Sequence, residues 1–286
     1  MSDLLIRAIT SDGCYRLAAV STTLCVKEIV RRHRASSVAA QALARAATAT
    51  ALLSTSEKEF HRIGVQWTGR GPLRSLHADV RPGGELRAYA GSPGVLVESV
   101  STALGAGVIT VIRQDQQGRF TQGSLPLSSS TVDEDLEQYL WRSEQLPSRL
   151  RVFIDQDEDG MPEAVCGVLV QTLPGGVADA LLGDGGSLSS ATFARALPGS
   201  LSPKDLLSAV LCTEGFEVLA EEEIVFACQC SRDRVERGVA LLGPEELLDM
   251  IAKEEPAEVR CDFCAEQYRV DIEGLCRIYD EITEGK

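Results

Sequence analysis

The chain has 286 residues, 44% of them hydrophobic, enough for one large domain and a smaller one with a sizeable core. Its 42 acidic against 28 basic residues leave a net charge of -14, which opposes general binding to nucleic acid or anionic lipid, whose phosphates this surface would repel. The opening MSDLLIRAITSDG carries neither a basic leader nor an apolar run, and no stretch reaches the roughly 18 apolar residues of a membrane helix, so a cytoplasmic protein is expected whose nine cysteines stay reduced.

LLIRAIT and YRLAAVSTT flank the turn signal Ser11-Asp12-Gly13 and predict a hairpin. The alanine-rich text from Cys25 to about Ser54 predicts two helices, with Ser36 or Ser37 capping the second. Strands follow: RIGVQWTG, then SLHADV and ELRAYAG across Arg81-Pro82-Gly83-Gly84, then GVITVIRQ and RFTQGSLPL across Gln116-Gln117-Gly118. Thr131 and Glu134 form a capping box before a helix ending near Pro147, and a hairpin of RLRVFID with AVCGVLVQTL closes the segment. Antiparallel strand pairs with helices inserted in blocks predict an α+β domain over residues 1–176.

After LPGG at 173–176 the composition changes. GDGGSLSS and LPGSLSP interrupt short helical pieces, one of them capped by Ser202 with Pro203 at its first position. Residues 177–224 are therefore expected to be a helical linker of marginal stability, its apolar residues Leu181, Leu182, Phe193, Leu206, Leu207 and Val210 depending on a packing partner. Residues 225–286 form a compact tail: the strand IVFA, a cysteine pair, a helix ending in PEELLDMIAKE, a second pair, and YRVDIEGLCRIYDEI.

The tail holds Cys228 and Cys230, thirty residues, then Cys261 and Cys264. Two such elements meeting supply the four thiolates of a tetrahedral structural zinc site. The three histidines, His33, His61 and His77, all lie far upstream, so an all-thiolate site is the economical one. The plain alternative is four small buried apolar residues. A thioredoxin-like redox site is another, but it would need one pair and a βαβ frame. A charged tail this short has little core, whereas a structural zinc contributes about 10–16 kcal/mol of apparent free energy. The same thiolates are oxidant targets, and closing each pair to a local disulfide would eject the ion, so the site can act as a latch.

GPLRSLHAD at 71–79, YLWRSEQLPSRL at 139–150, GVLVQTLPGG at 167–176, and above all CQCS and CDFC with their long spacer, resemble the redox-regulated holdase chaperones of bacteria, the 33-kilodalton heat-shock protein family. The resemblance covers nearly the whole chain. It implies an amino-terminal α+β domain, a metastable helical linker and a carboxy-terminal zinc domain that serves in the heat-shock and oxidative-stress response. It implies that Cys228, Cys230, Cys261 and Cys264 are both zinc ligands and redox sensors. Oxidation to two local disulfides would then release zinc, unfold the linker and expose surface that holds unfolding client proteins without ATP. It further implies a monomer when reduced and a homodimer when oxidised. Ala44 and Ala88 stand where the family leads one to expect glycine, and Cys14, Cys25, Cys166, Cys212 and Cys276 lie outside the motif, most simply as buried small hydrophobes.

Other signals fall away. DQDEDG at 155–160 imitates an EF-hand start, but Cys166 stands at the twelfth position and the flanks are strands, so a hairpin tip is expected. Gly105 and Gly107 lack the third glycine of a dinucleotide fingerprint, and KEIVRRHR at 27–34 reads as a solvated helix face. No Ser-His-Asp set, P-loop or metal-hydrolase helix is present, so no enzyme is expected. The alternatives to a redox-gated chaperone are a thiol-disulfide oxidoreductase using the same cysteines and a fixed zinc interaction module.

Overall fold

Ser11-Asp12-Gly13 turns the chain because Gly13 takes a left-handed φ of 72° and the Asp12 carboxylate accepts from the Cys14 amide at 2.9 Å. Strand β1 (Asp3–Thr10) thereby pairs with β2 (Tyr15–Ser21), Leu5 opposite Val20. The computed structural model describes residues 2–57, 59–128, 131–177, 202–211 and 215–284. They form two units, Met1–Ala227 and Cys228–Lys286.

In the first unit, helix α1 (Thr23–His33) leads into α2 (Ser37–Leu53), and the Ser36 side chain accepts from the Ala39 amide at 3.3 Å as the cap. Nearly every residue of α2 is buried. Its alanines let the helix lie close on the sheet, and Thr48 and Thr50 return their hydroxyls to the carbonyls of Ala44 and Ala46 at 2.7 Å. Strands β3 (Arg62–Gly69), β4 (Ser75–Arg81), β5 (Glu85–Ala90), β6 (Gly107–Gln114) and β7 (Phe120–Pro126) follow, with the short helix α3 (Val100–Leu104) before β6. Helix α4 (Val132–Ser143) precedes the hairpin of β8 (Ser148–Gln156) and β9 (Pro162–Thr172). Thr131 stands at the N-cap position of α4, but its side chain does not cap the helix, in contrast to the expected capping box. Asp133 in the first turn instead accepts from Arg45 and from the Val152 amide, at 2.9 and 3.0 Å.

Helix α5 (Pro203–Leu211) begins at the expected cap, Ser202 accepting from the Asp205 amide at 3.2 Å. Leu206, Leu207 and Leu211 are buried with Ile6, Ala8, Leu17, Val168 and Val170. Leu5, Ala18 and Val20 face the other core, with α1 and α2. The expectation of a helical linker over 177–224 needs one correction: Phe216–Phe226 is a strand, β10, lying antiparallel to β1 and parallel to β5. The physical reason is its two-residue alternation. Phe216, Val218, Ala220 and Ile224 are turned inward relative to Glu217, Leu219, Glu221 and Glu223, which are exposed. Leu181, Leu182 and Phe193 lie outside the described residues, as does the side chain of Val210. The sheet runs β7-β6-β3-β4-β5-β10-β1-β2-β9-β8 and gives the α+β architecture.

Several motifs resolve here. In 155–160 the Asp157 carboxylate accepts from the amides of Asp159 and Met161 at 3.0 and 2.8 Å, and Gly160 has a φ of 75°, which is a hairpin tip. On α1, Glu28 bridges Arg31 and Arg32 at 2.8 and 2.6 Å, so the basic stretch carries its own counter-ion. Ala44 and Ala88 are fully buried, their methyl groups taken up by the core.

The second unit is small. It comprises α6 (Arg232–Ala240), α7 (Pro244–Ala252), the hairpin of β11 (Ala257–Arg260) with β12 (Gln267–Val270), and α8 (Ile272–Glu284). Ser231 caps α6, and Gly243 at φ 86° admits Pro244 as the first residue of α7. Val239, Leu247, Ala257, Val270, Leu275 and Ile278 form its buried core.

Candidate metal centre

Two local structures present the four thiols. Cys228 and Cys230 lie in the extended stretch before Ser231, where α6 has not yet begun. Cys261 and Cys264 occupy the turn of the β11–β12 hairpin, closed by Cys261 N–H donating to Glu266 O at 2.9 Å and Ala265 N–H donating to Cys261 O at 2.8 Å. All four sulfurs lie within 4.8 Å of one another, with Cys228 3.7 Å from Cys261 and Cys230 3.3 Å from Cys264. Around a tetrahedral ion with metal–sulfur bonds of about 2.3 Å, sulfurs stand about 3.8 Å apart, so this donor set fits one soft cation. Among the described residues no other group of three or more His, Cys, Asp or Glu side chains converges this way.

The fold aims donors at these sulfurs. Cys228 receives the Cys230 amide, Cys261 the amides of Cys264 and Phe263, and Cys264 the amide of Glu266. Cys230 receives the Tyr268 phenol, O–H to Sγ, at 3.1 Å. Burial pushes the Cys228 thiol up, but the Cys230 amide and the surrounding thiols outweigh it and the net shift is downward. Burial pushes Cys261 and Cys264 up. A bound cation would favour the thiolate at all four.

The three histidines belong to the first unit: His33 ends α1, His61 precedes β3, and His77 stacks on Tyr89 with ring centroids 4.4 Å apart. Of the other cysteines, Cys25 is buried while Cys14, Cys166 and Cys276 are half-buried, and Cys212 lies outside the described residues. Tyr268 is the neighbour that sequence reasoning missed. Its position four residues after Cys264 was the available signal, yet only the hairpin register, Val259 opposite Tyr268, fixes where it stands.

The chain matches the protein family described as "Hsp33 protein" over residues 3–271. It is 34% identical over 294 residues to the 33 kDa chaperonin of Geobacter sp. (strain M21), covering 99% of each chain. It is 36% identical to that of Symbiobacterium thermophilum, with 97% of each chain covered. It is also 36% identical to that of Synechocystis sp., with 100% of this chain and 99% of the other covered. Its fold matches the crystal structure of the 33 kDa chaperonin (heat shock protein 33 homolog) of Thermotoga maritima at a TM-score of 0.83, with 24% identity, covering 99% of this chain and 100% of that one. Fold, cysteine cluster and relatives together define the class, a molecular chaperone rather than an enzyme. The chain belongs to the Hsp33 family. Membership carries with it the binding of client proteins.

Proposed function

We propose that the protein is a redox-regulated, ATP-independent holdase whose reduced form is held inactive by zinc. The observation that carries this reading is the convergence of four sulfurs within 4.8 Å in a unit whose buried core is small. Cys228, Cys230, Cys261 and Cys264 are the proposed ligands and sensors. Bound there, the ion supplies a crosslink worth about 10–16 kcal/mol of apparent free energy, with no catalytic role. Two thiolates give up two electrons as they join, and hydrogen peroxide takes those electrons and two protons to become two waters; two peroxides thus oxidise one chain. The resulting sulfurs have lost the charge with which they ligate, and the unit loses its crosslink.

The proposed pairings are Cys228 with Cys230 and Cys261 with Cys264. Cys228 lies 3.7 Å from Cys261 and Cys230 3.3 Å from Cys264, close contacts across the pairs, so the argument for the local bridges is the short covalent tether within each pair. The proposed domain plan is 1–176, a switching segment over 177–224 and the switch domain over 225–286. Within the segment, α5 offers Leu206 and Leu207, and release of β10 would open the sheet between β1 and β5. The exposed surface binds unfolding proteins, the oxidised form is a homodimer, and the setting is the cytoplasm. Among the described residues no helix is long and apolar enough to cross a membrane.

Zinc content and suppression of client aggregation, measured together on reduced and peroxide-treated protein, test this reading. The expected result is one zinc per reduced, inactive chain, and loss of zinc with mole-for-mole suppression after oxidation. Equal suppression by the zinc-loaded reduced form would overturn it. Catalytic turnover of many disulfides per chain would likewise count against it.

A further inference from the structure

Backbone amides, donors that the turns themselves fix, serve the sulfurs of Cys228, Cys261 and Cys264. Cys230 is served by a side chain, the Tyr268 hydroxyl at 3.1 Å. Tyr268 projects from β12, immediately beyond the turn that holds Cys261 and Cys264, whereas Cys230 belongs to the separate stretch before α6. The bond therefore ties the two cysteine-bearing pieces together.

We propose that Tyr268 is a positioning residue for the cysteine centre, its phenol O–H fixing the Cys230 sulfur and drawing off part of the charge that an oxidant would attack. This rests on the reading of the four cysteines as a metal site. A hydroxyl donating to a thiolate makes a charge-assisted bond, stronger than a neutral one. It orients the ligand before the cation arrives, which favours binding, and it lowers the nucleophilicity of that sulfur toward peroxide, which slows the first oxidation. The device is removable: Tyr268→Phe deletes the donor and leaves the ring.

The test compares the full-length parent with Tyr268→Phe, Tyr268→Leu and, as a control for loss of a phenol elsewhere in the same unit, Tyr279→Phe. Zinc affinity is read by competition with a chromophoric chelator, cobalt(II) reports the thiolate-to-metal charge-transfer band, and the rate of zinc release is followed in peroxide. Tyr268→Phe is expected to bind one metal per chain about 10–100-fold more weakly, to shift the cobalt band and to release zinc faster, with Tyr279→Phe unchanged. Tyr268→Phe matching the parent in all three readouts would overturn the proposal, whether or not Tyr268→Leu is impaired, since impairment in Leu alone assigns the effect to ring packing. A parent lacking the tetrahedral thiolate spectrum would overturn the metal reading itself, and the tyrosine's role with it; a parent that shows it beside an identical Tyr268→Phe removes the tyrosine's role alone.

Discussion

Cys166, on β9, shows how surroundings decide what a thiol does in this chain. Burial pushes it up from 9.0 to about 12, and burial together with the nearby Asp3 carboxylate pushes Cys25 well above its ordinary range. The folded protein thus keeps both protonated at a pH where the unfolded chain ionises them. Above pH 9 the unfolded state binds fewer protons than the folded one, so stability falls as pH rises, by up to about 1.4 kcal/mol per pH unit for each such thiol. The contribution of Cys166 is fully present below 9 and is lost progressively up to about 12. Denaturant melts between pH 9 and 11 should therefore show a shallower decline for Cys166→Ala than for the parent. Parallel declines would mean that this thiol is not linked to folding. The surroundings of Cys166 are not written beside it in the sequence: Ser21 on β2, more than a hundred residues upstream, stands opposite it.

At the scale of elements, what the sequence made legible was local. Turn residues marked the hairpins at 11–13, 82–84 and 116–118, and Ser36 and Ser202 marked helix starts, because in each case the determining chemistry lies within a few residues. The end of β10 was legible as IVFA, but its longer first part was not. Its glutamates hide the inward set of Phe216, Val218, Ala220 and Ile224, and its partners β1 and β5 lie more than a hundred residues away. Its junction with β5 depends on Gly84, which has a φ of 68° and would place a Cβ 1.9 Å from Glu223 O, while the Gly84 carbonyl accepts from the Val225 amide at 3.0 Å. Gly84→Ala should cost about 1–2 kcal/mol for the left-handed backbone alone, before the clash is counted. Hydrogen exchange should show faster opening of 216–226 with α2 unchanged, and under the proposed function the reduced variant should already suppress aggregation in part. Unaltered exchange in 216–226 would show that the strand is held by its β1 pairing alone.

Across the whole molecule the two units differ in the core available to hold them, and under the proposed function zinc makes up the difference in the second. The first has an extensive core beneath α2 and a ten-stranded sheet, whereas the second rests on six buried hydrophobic side chains. A core of that kind in so short a segment supplies no more than about 3–5 kcal/mol, against about 10–16 for a structural zinc. The four sulfurs were readable as a set because each pair is contiguous in sequence, but Tyr268 was not, since its place follows from the register of β12 on β11. The contrast in stability leads to a test on the reduced, full-length chain that uses no oxidant. Treatment with a strong zinc chelator and a reductant should abolish hydrogen-exchange protection across α6, α7 and α8 while β3, β4 and α2 keep theirs, and adding zinc back should restore it. If residues 232–284 stayed protected with the metal gone, six side chains would be enough to fold the unit, and removing zinc could not by itself be the event that throws the switch.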